Sequence, residues 1–227
     1  MSSHRIALVL LALAACSRPT ASTGSTRDSG APPRVAPSAP PTAWLEDGDL
    51  VFQTSRSAQS QAIQLATHSK FSHVGIVYHG PHGAMVFEAI GPVTSTPLAA
   101  WIARGEGGHW TAKRLVDRSV LTPATLAKMR KVGERFVGKP YDFAFGWSDD
   151  ALYCSELVWK IFHEGAGIDL APLAKLGDFD LSSPVVKQKL AERYGAKIPL
   201  EEIVVSPSAL ADSSLVATVA EDAPQIR

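Results

Sequence analysis

Tyr153-Cys154-Ser155-Glu156-Leu157-Val158-Trp159-Lys160-Ile161-Phe162 opens a helix on a cysteine. Apolar residues recur at 157, 158, 161 and 162, the one-sided stripe of an amphipathic helix, and Gly165 and Gly167 supply its stop. A thiol at a helix N-terminus lies beside unpaired backbone N–H groups and the positive end of the helix dipole, both of which favour thiolate over thiol. Such a thiolate is a nucleophile, and the neighbouring N–H groups can bind the oxyanion that its attack creates. A buried structural cysteine is the other reading of the same residue, because free cysteine is often found in cores. The surrounding chain weighs between the two.

The second cysteine, Cys16, closes an N-terminal segment that reads as a secretory signal. Arg5 supplies the positive start, and Ile6 to Ala15 form an apolar run too short to span a bilayer as a helix but suited to the apolar core of a signal peptide. The run ends Leu13-Ala14-Ala15-Cys16, which resembles the bacterial lipobox, whose cysteine becomes the lipid-modified N-terminus after cleavage. Residues 1–15 are therefore expected to be a signal peptide and Cys16 a lipidation site. More than one acyl chain at Cys16 gives stable anchoring. Ser17 follows where an aspartate does not, which by resemblance to Gram-negative lipoprotein sorting implies the outer membrane, with the protein facing the periplasm. With Cys16 consumed, Cys154 has no disulfide partner, and an odd thiol in an exported protein points to reactivity.

Residues 16–43 are rich in Ser, Thr, Pro, Ala and Gly, cannot bury a core, and read as a lipid-anchored flexible linker. Residues 44–227, 184 in all, fit one domain. The formal charge is 22 minus 22; loss of Arg5 with the signal leaves 21 minus 22, or −1. No basic run is present, so nucleic acid is not an expected partner.

From Trp44 onward the elements alternate. Strands are expected at 49–53, 71–78, 84–90 and 109–115, with late strands at 203–205 and 215–219. Helices are expected at 57–67, at 97–104, from Pro123 to about Val137 with Thr122 as N-cap, from Cys154, and near 184–193. The pattern predicts an α+β fold: a small, mostly antiparallel sheet packed with helices.

The strands at 71–78 and 84–90 form a hairpin, and the hairpin carries a partner for the thiol. With residue numbers summing to 161, Tyr78 faces Gly83 across a four-residue loop and His73 faces Glu88. Cross-strand partners share a face, their Cβ atoms about 5 Å apart. An imidazole beside a carboxylate is an oriented base: the carboxylate fixes the ring tautomer and the other nitrogen is free to meet a thiol. Glu88 sits inside Val86-Phe87-Glu88-Ala89-Ile90, an apolar run where a carboxylate is costly unless paired. A hydrogen-bonded core histidine and a strand-edge charge are the plainer readings of the same two residues.

Five motifs stand in order: Gly48-Asp49-Leu50-Val51-Phe52; Ser72-His73-Val74-Gly75-Ile76-Val77; Phe87-Glu88-Ala89-Ile90-Gly91-Pro92-Val93; Gly138-Lys139-Pro140-Tyr141-Asp142; and Tyr153-Cys154-Ser155-Glu156-Leu157-Val158. Together with the closing Val205-Ser206-Pro207-Ser208-Ala209-Leu210, this series resembles the permuted papain-like amidases of the YiiX/YaeF type, within the NlpC-like cysteine peptidase superfamily. The resemblance covers roughly 48–219. Its order is diagnostic, since His and Glu precede Cys whereas ordinary papain-like enzymes run Cys, then His. The resemblance implies a circularly permuted papain-like fold, with Cys154 as nucleophile, His73 as general base and acid, and Glu88 as the group that orients His73. It also places Tyr141 near the acyl-binding site, where its hydroxyl is a candidate oxyanion donor; a packed aromatic after a turn is the alternative. Trp147, in the loop before Cys154, is expected to border the substrate.

Other constellations carry less. His79 and His82 lie in a Gly/Pro loop without ligands at zinc spacing, so no metal site and no cofactor are expected. His109 and His163 have no visible carboxylate partner and read as ordinary strand and helix residues. Gly105-Glu106-Gly107-Gly108 lacks the Lys-Ser/Thr of a phosphate cradle. Three functions remain in view: an envelope cysteine peptidase or amidase acting on peptide amides such as those of peptidoglycan, a lipid-directed thiol hydrolase or acyltransferase, and a non-catalytic binding lipoprotein.

Overall fold

Every residue of Leu50-Val51-Phe52-Gln53 is buried, the mark of a strand covered on both faces. This is β1 (Leu50–Gln53), near the centre of the sheet in the computed structural model, which describes residues 41–57 and 59–222. The expected signal peptide, Cys16 and all but the end of the expected linker lie outside the described residues. Among the described residues no helix is long and apolar enough to cross a membrane.

After β1 come α1 (Ser60–Thr67), β2 (His73–Gly80), β3 (Gly83–Ala89), β4 (Val93–Pro97), α2 (Leu98–Arg104), β5 (Thr111–Leu115), α3 (Pro123–Glu134) and α4 (Cys154–Ala166). The chain continues through β6 (Ala174–Lys175), α5 (Pro184–Tyr194), β7 (Ile203–Val204), α6 (Pro207–Ala211) and β8 (Val216–Glu221). Six strands form one antiparallel sheet in the order β4-β3-β2-β1-β5-β8. The architecture is α+β, as the element pattern predicts.

Alternation along the strands divides the core. Leu50, Phe52, Val74, Ile76, Tyr78 and Phe87 pack on one side with Met129 of α3 and Leu157, Val158, Ile161 and Phe162 of α4. Val51, Val77 and Val86 pack on the other with Leu98 and Trp101 of α2. A smaller cluster joins Ala62 of α1 to Val186 and Leu190 of α5. Thr122 caps α3 as expected, its hydroxyl accepting from the Thr125 N–H at 3.1 Å.

Four expectations are corrected. The hairpin pairs Ile76 with Phe87 and Tyr78 with Met85, so partner numbers sum to 163, and the loop between Gly80 and Gly83 has two residues, not four. A slip of two preserves the facing of every side chain, so His73 and Glu88 still share a face, but Glu88 falls opposite Gly75. Residues 93–96, with no expected element, form β4 together with Pro97, expected to open the helix that instead starts at Leu98, because edge pairing with β3 orders a Thr/Ser segment of little intrinsic pattern. The expected strand at 203–205 joins only β6 in a separate pair. Gly165 does not stop α4, which continues to Ala166 and ends on left-handed Gly167 (φ 71°). A Cβ at Gly165 would lie 2.6 Å from Met129 Cγ and 2.7 Å from its Cα, so this glycine lets α3 and α4 approach.

Candidate active site

Cys154 is the first residue of α4, and the helix begins where strand β2 begins. Tyr153 is extended (φ −96°, ψ 166°), and Glu156 reaches back to accept from the Tyr153 N–H at 3.3 Å, which fixes the first turn. The Cys154 thiol is buried beside the His73 imidazole, close enough for each to shift the other's protonation. The backbone N–H groups of Val74 and Ser155 also point at the sulfur. Burial opposes the thiolate, but the His73 ring and these two N–H groups outweigh it and hold the thiol below its ordinary value.

The same contacts act oppositely on His73. Burial disfavours the imidazolium, yet the bonds to Cys154 and Glu88 raise His73 to about 9. Its Nε2 lies 2.6 Å from Glu88 Oε2, so Nδ1 is left to meet the thiol. Glu88 is fully buried and has three partners: His73, the Thr96 hydroxyl donating at 2.5 Å, and the Arg104 guanidinium donating at 2.5 Å. Burial raises Glu88, and these donors overcome it to hold the carboxyl near 2. Trp101 covers the dyad from the α2 side, its ring 6.2 Å from that of His73. An imidazole lined up between a depressed thiol and a permanent carboxylate favours the thiolate–imidazolium form at neutral pH.

Tyr141 stands beside the thiol. The Asp142 N–H donates to Leu152 O and the Leu152 N–H to Pro140 O, both at 3.1 Å, which clamps the 140–142 turn against the residues that enter α4. Burial, together with the charge on the neighbouring Cys154 sulfur, lifts the Tyr141 hydroxyl well above its ordinary value. The phenol therefore stays protonated and available as a donor.

Two cavities meet at this point. One, of about 80 Å³, is lined by Cys154, Ile63, Phe145, Leu176, Phe179 and Val204 and is apolar. The other, of about 740 Å³, is an open cleft with His73 and Tyr141 in its wall together with Arg56, Arg104, Lys189 and Arg193.

The structure thus brings together Cys154, His73, Glu88 and Tyr141. It does not bring Trp147 to either cavity: the ring packs on Trp159, at 5.4 Å, and under Lys160, while the Trp147 backbone N–H donates to the Glu202 carboxylate. His109 and His163 do have carboxylate partners, Asp222 and Asp169, which lie far along the chain or past the helix end. His79 belongs to β2 and pairs with Asp47 at 2.8 Å. Sequence reasoning misses Arg104 and Thr96, because nothing in α2 or β4 signals that they converge on Glu88. Among the described residues no group of three or more His, Cys, Asp or Glu side chains is arranged to hold a metal ion.

A thiol, an imidazole and a carboxylate in series, on a sheet whose His and Glu strands precede the Cys helix, define a papain-like fold in permuted order. Comparison with known proteins agrees: residues 44–220 match the permuted papain-like amidase enzymes of the YaeF/YiiX, C92 family, and the chain belongs to that family. It is 49% identical over 188 residues to the uncharacterized protein YiiX of Escherichia coli (strain K12), covering 82% of this chain and 92% of that one. A crystal structure described as metalloprotein yiiX from Escherichia coli O157:H7 superposes with a TM-score of 0.75 at 49% identity, covering 79% of this chain and 98% of the other.

Proposed function

We propose that the chain is a cysteine amidase of the cell envelope that works through an acyl-enzyme on Cys154. Membership of an amidase family supports amide hydrolysis. The observation that carries the finer reading is the His73 ring, set between the Cys154 thiol on one side and the Glu88 carboxylate, 2.6 Å away, on the other. In this reading the Cys154 thiolate attacks the carbonyl carbon and an S–C bond forms. The oxyanion takes hydrogen bonds from the Cys154 N–H and the Tyr141 hydroxyl. The His73 imidazolium gives its proton to the leaving nitrogen as the C–N bond breaks, and the amine departs. Neutral His73 then draws a proton from water, whose oxygen attacks the thioester, and the acid leaves with the thiolate restored. Glu88 keeps the ring in one orientation and supports its charge throughout.

The yiiX crystal structure is described as that of a metalloprotein. The described residues of this chain offer no cluster for a metal ion, and the reading passes no step through one. For the N-terminus, the lipobox-like Leu13-Ala14-Ala15-Cys16 and the polar stretch after it support a domain tethered to the membrane from the periplasmic side.

One observation favours a second reading, a lipid-directed thiol hydrolase or acyltransferase: Cys154 itself lines the apolar cavity. Both readings need an activated thiol. Alkylation by iodoacetamide across pH, followed by intact mass beside a His73→Ala variant, tests it. The expected result is rapid modification of Cys154 well below pH 8, slowed by the substitution. Modification only near the free-thiol value of about 8.5, unchanged by the substitution, overturns both.

A further inference from the structure

The two cavities differ in chemistry and in which catalytic group they contain. Cys154 and Ser155 line the apolar one, and His73 does not. His73 lines the open cleft, and Cys154 does not. In the reaction proposed above the leaving amine must lie where the His73 proton can reach it, so the amine side of the substrate occupies the cleft and the acyl side occupies the apolar cavity.

The cleft is basic. Arg56, Arg104, Lys189 and Arg193 line it against one carboxylate, Glu192. Two of these cations are already engaged, Arg104 with Glu88 and Lys189 with Glu192 at 2.6 Å. Arg193 is not: among the described residues no carboxylate lies within ion-pair distance of it. Its guanidinium rests 5.0 Å over the Phe145 ring and donates to the Gln59 side-chain carbonyl. Partial burial lowers its ordinary affinity for the proton, and the more distant charges of Glu192 and Asp142 offset this only in part. Gln59 lines the same cleft and is 6% exposed, and among the described residues its amide nitrogen has no hydrogen-bond partner. Arg56, exposed in the segment that leads from β1 to Gln59, makes no ion pair among the described residues either. Cationic donors without a carboxylate partner, converging on one cleft beside a buried amide, are the arrangement that recognises a carboxylate or phosphate.

We propose that Arg193, with Gln59 and Arg56, binds an anionic group on the amine that is released, so that the substrate is an apolar acyl chain amide-linked to an anionic amine. The amidase reading sets which side of the bond faces the cleft; the anion site itself is tested without turnover. The source of the anion is an amino-acid carboxylate or a phosphate headgroup, which share this chemistry.

Calorimetric titration of the full chain carrying Cys154→Ala compares N-decanoylglycine, its uncharged carboxamide and N-decanoylphosphoethanolamine. The expected result is affinity at least tenfold tighter for an anionic amide than for the carboxamide, with the difference collapsing in Arg193→Gln and shrinking in Arg56→Gln, a variant of an exposed side chain that leaves the fold intact. Tighter binding of the phosphate compound assigns the cleft to a headgroup, and of the glycine compound to an amino acid or peptide end. Equal affinities for the charged and uncharged amides, or no binding of any, overturn the proposal. Anion-selective binding with no hydrolysis of either anionic amide by the unsubstituted protein upholds the cleft and counts against the amidase reading instead.

Discussion

His73 reaches Glu88 diagonally across β2 and β3, past Gly75, with Nε2 2.6 Å from Oε2. The ladder sets Glu88 opposite Gly75, and Val86, Glu88 and Gly75 share that face of the sheet. The space above Gly75 is already taken. A Cβ there would lie 2.4 Å from Val86 Cγ1 and 3.0 Å from the Phe87 carbonyl oxygen. The glycine is what allows the two strands to carry His73 and Glu88 at contact.

Gly75→Ala is therefore expected to destabilise the fold by about 1–3 kcal/mol through overpacking. A domain of this size loses roughly 2–4 °C in Tm per kcal/mol, so a thermal melt reads the effect directly. A melt indistinguishable from that of the unsubstituted protein would show that the strands have room to spare.

Glu88→Gln keeps the shape of the side chain and removes its charge. His73 then loses one of the two partners that hold it near 9, and the thiolate loses part of its counter-charge. The acid limb of Cys154 alkylation should move up toward the free-thiol value of about 8.5. Turnover should fall by roughly 10²–10⁴, as for other bases deprived of their orienting group. An unmoved alkylation profile would assign Glu88 to holding Arg104 and Thr96 alone.

Much of this site is legible in the residues, and the rest is hidden for physical reasons. Cys154 shows itself because a helical stripe begins on it, and Glu88 because an apolar strand tolerates a carboxylate only when it is paired. The hairpin is legible in 71–90, but its register is not, since Gly80-Pro81-His82-Gly83 accommodates either a two- or a four-residue loop; the face survives the error because strand period is two. Arg104 and Thr96 reach Glu88 from elements with no pattern of their own. Gln59 and Arg193 lie 134 residues apart in sequence, and only the packing of α1 on α5 joins them. Trp147 misleads because proximity in sequence to Cys154 is not proximity to the cleft.

Tyr141→Phe deletes one hydroxyl. If that hydroxyl, which lies beside Cys154, donates to the developing oxyanion, kcat should fall by about 10²–10³ with little change in KM. Stability should change little, since the ring and the clamp between residues 140–142 and Leu152 remain. Equal losses in kcat and thermal stability would make Tyr141 a packing residue.

Cys16→Ser removes the proposed lipid attachment point. In cells fed radiolabelled palmitate, the unsubstituted chain is expected to carry label and sediment with membranes. The variant is expected to lack label and to leave the membrane fraction. Label retained by the variant would end the lipoprotein reading.

Glu156 lies two residues after Cys154, in the first turn of α4, and is fully buried. Burial lifts it to about 7, against the Lys160 ammonium 2.9 Å from its Oε1, which acts to lower it. Between about pH 4.5 and 7 the unfolded chain has released this proton while the folded chain still holds it. The unfolded state therefore binds fewer protons, and stability falls as pH rises through that window. Glu156→Gln has no proton to lose there. Urea unfolding at pH 5 and pH 8 should show the unsubstituted protein losing up to about 3 kcal/mol more than the variant between the two, an upper bound set by 1.36 kcal/mol per pKa unit. Equal pH slopes in the two proteins would mean that Lys160, which also holds Asp149 at 2.8 Å and the Ser148 carbonyl at 2.7 Å, keeps Glu156 ionised throughout.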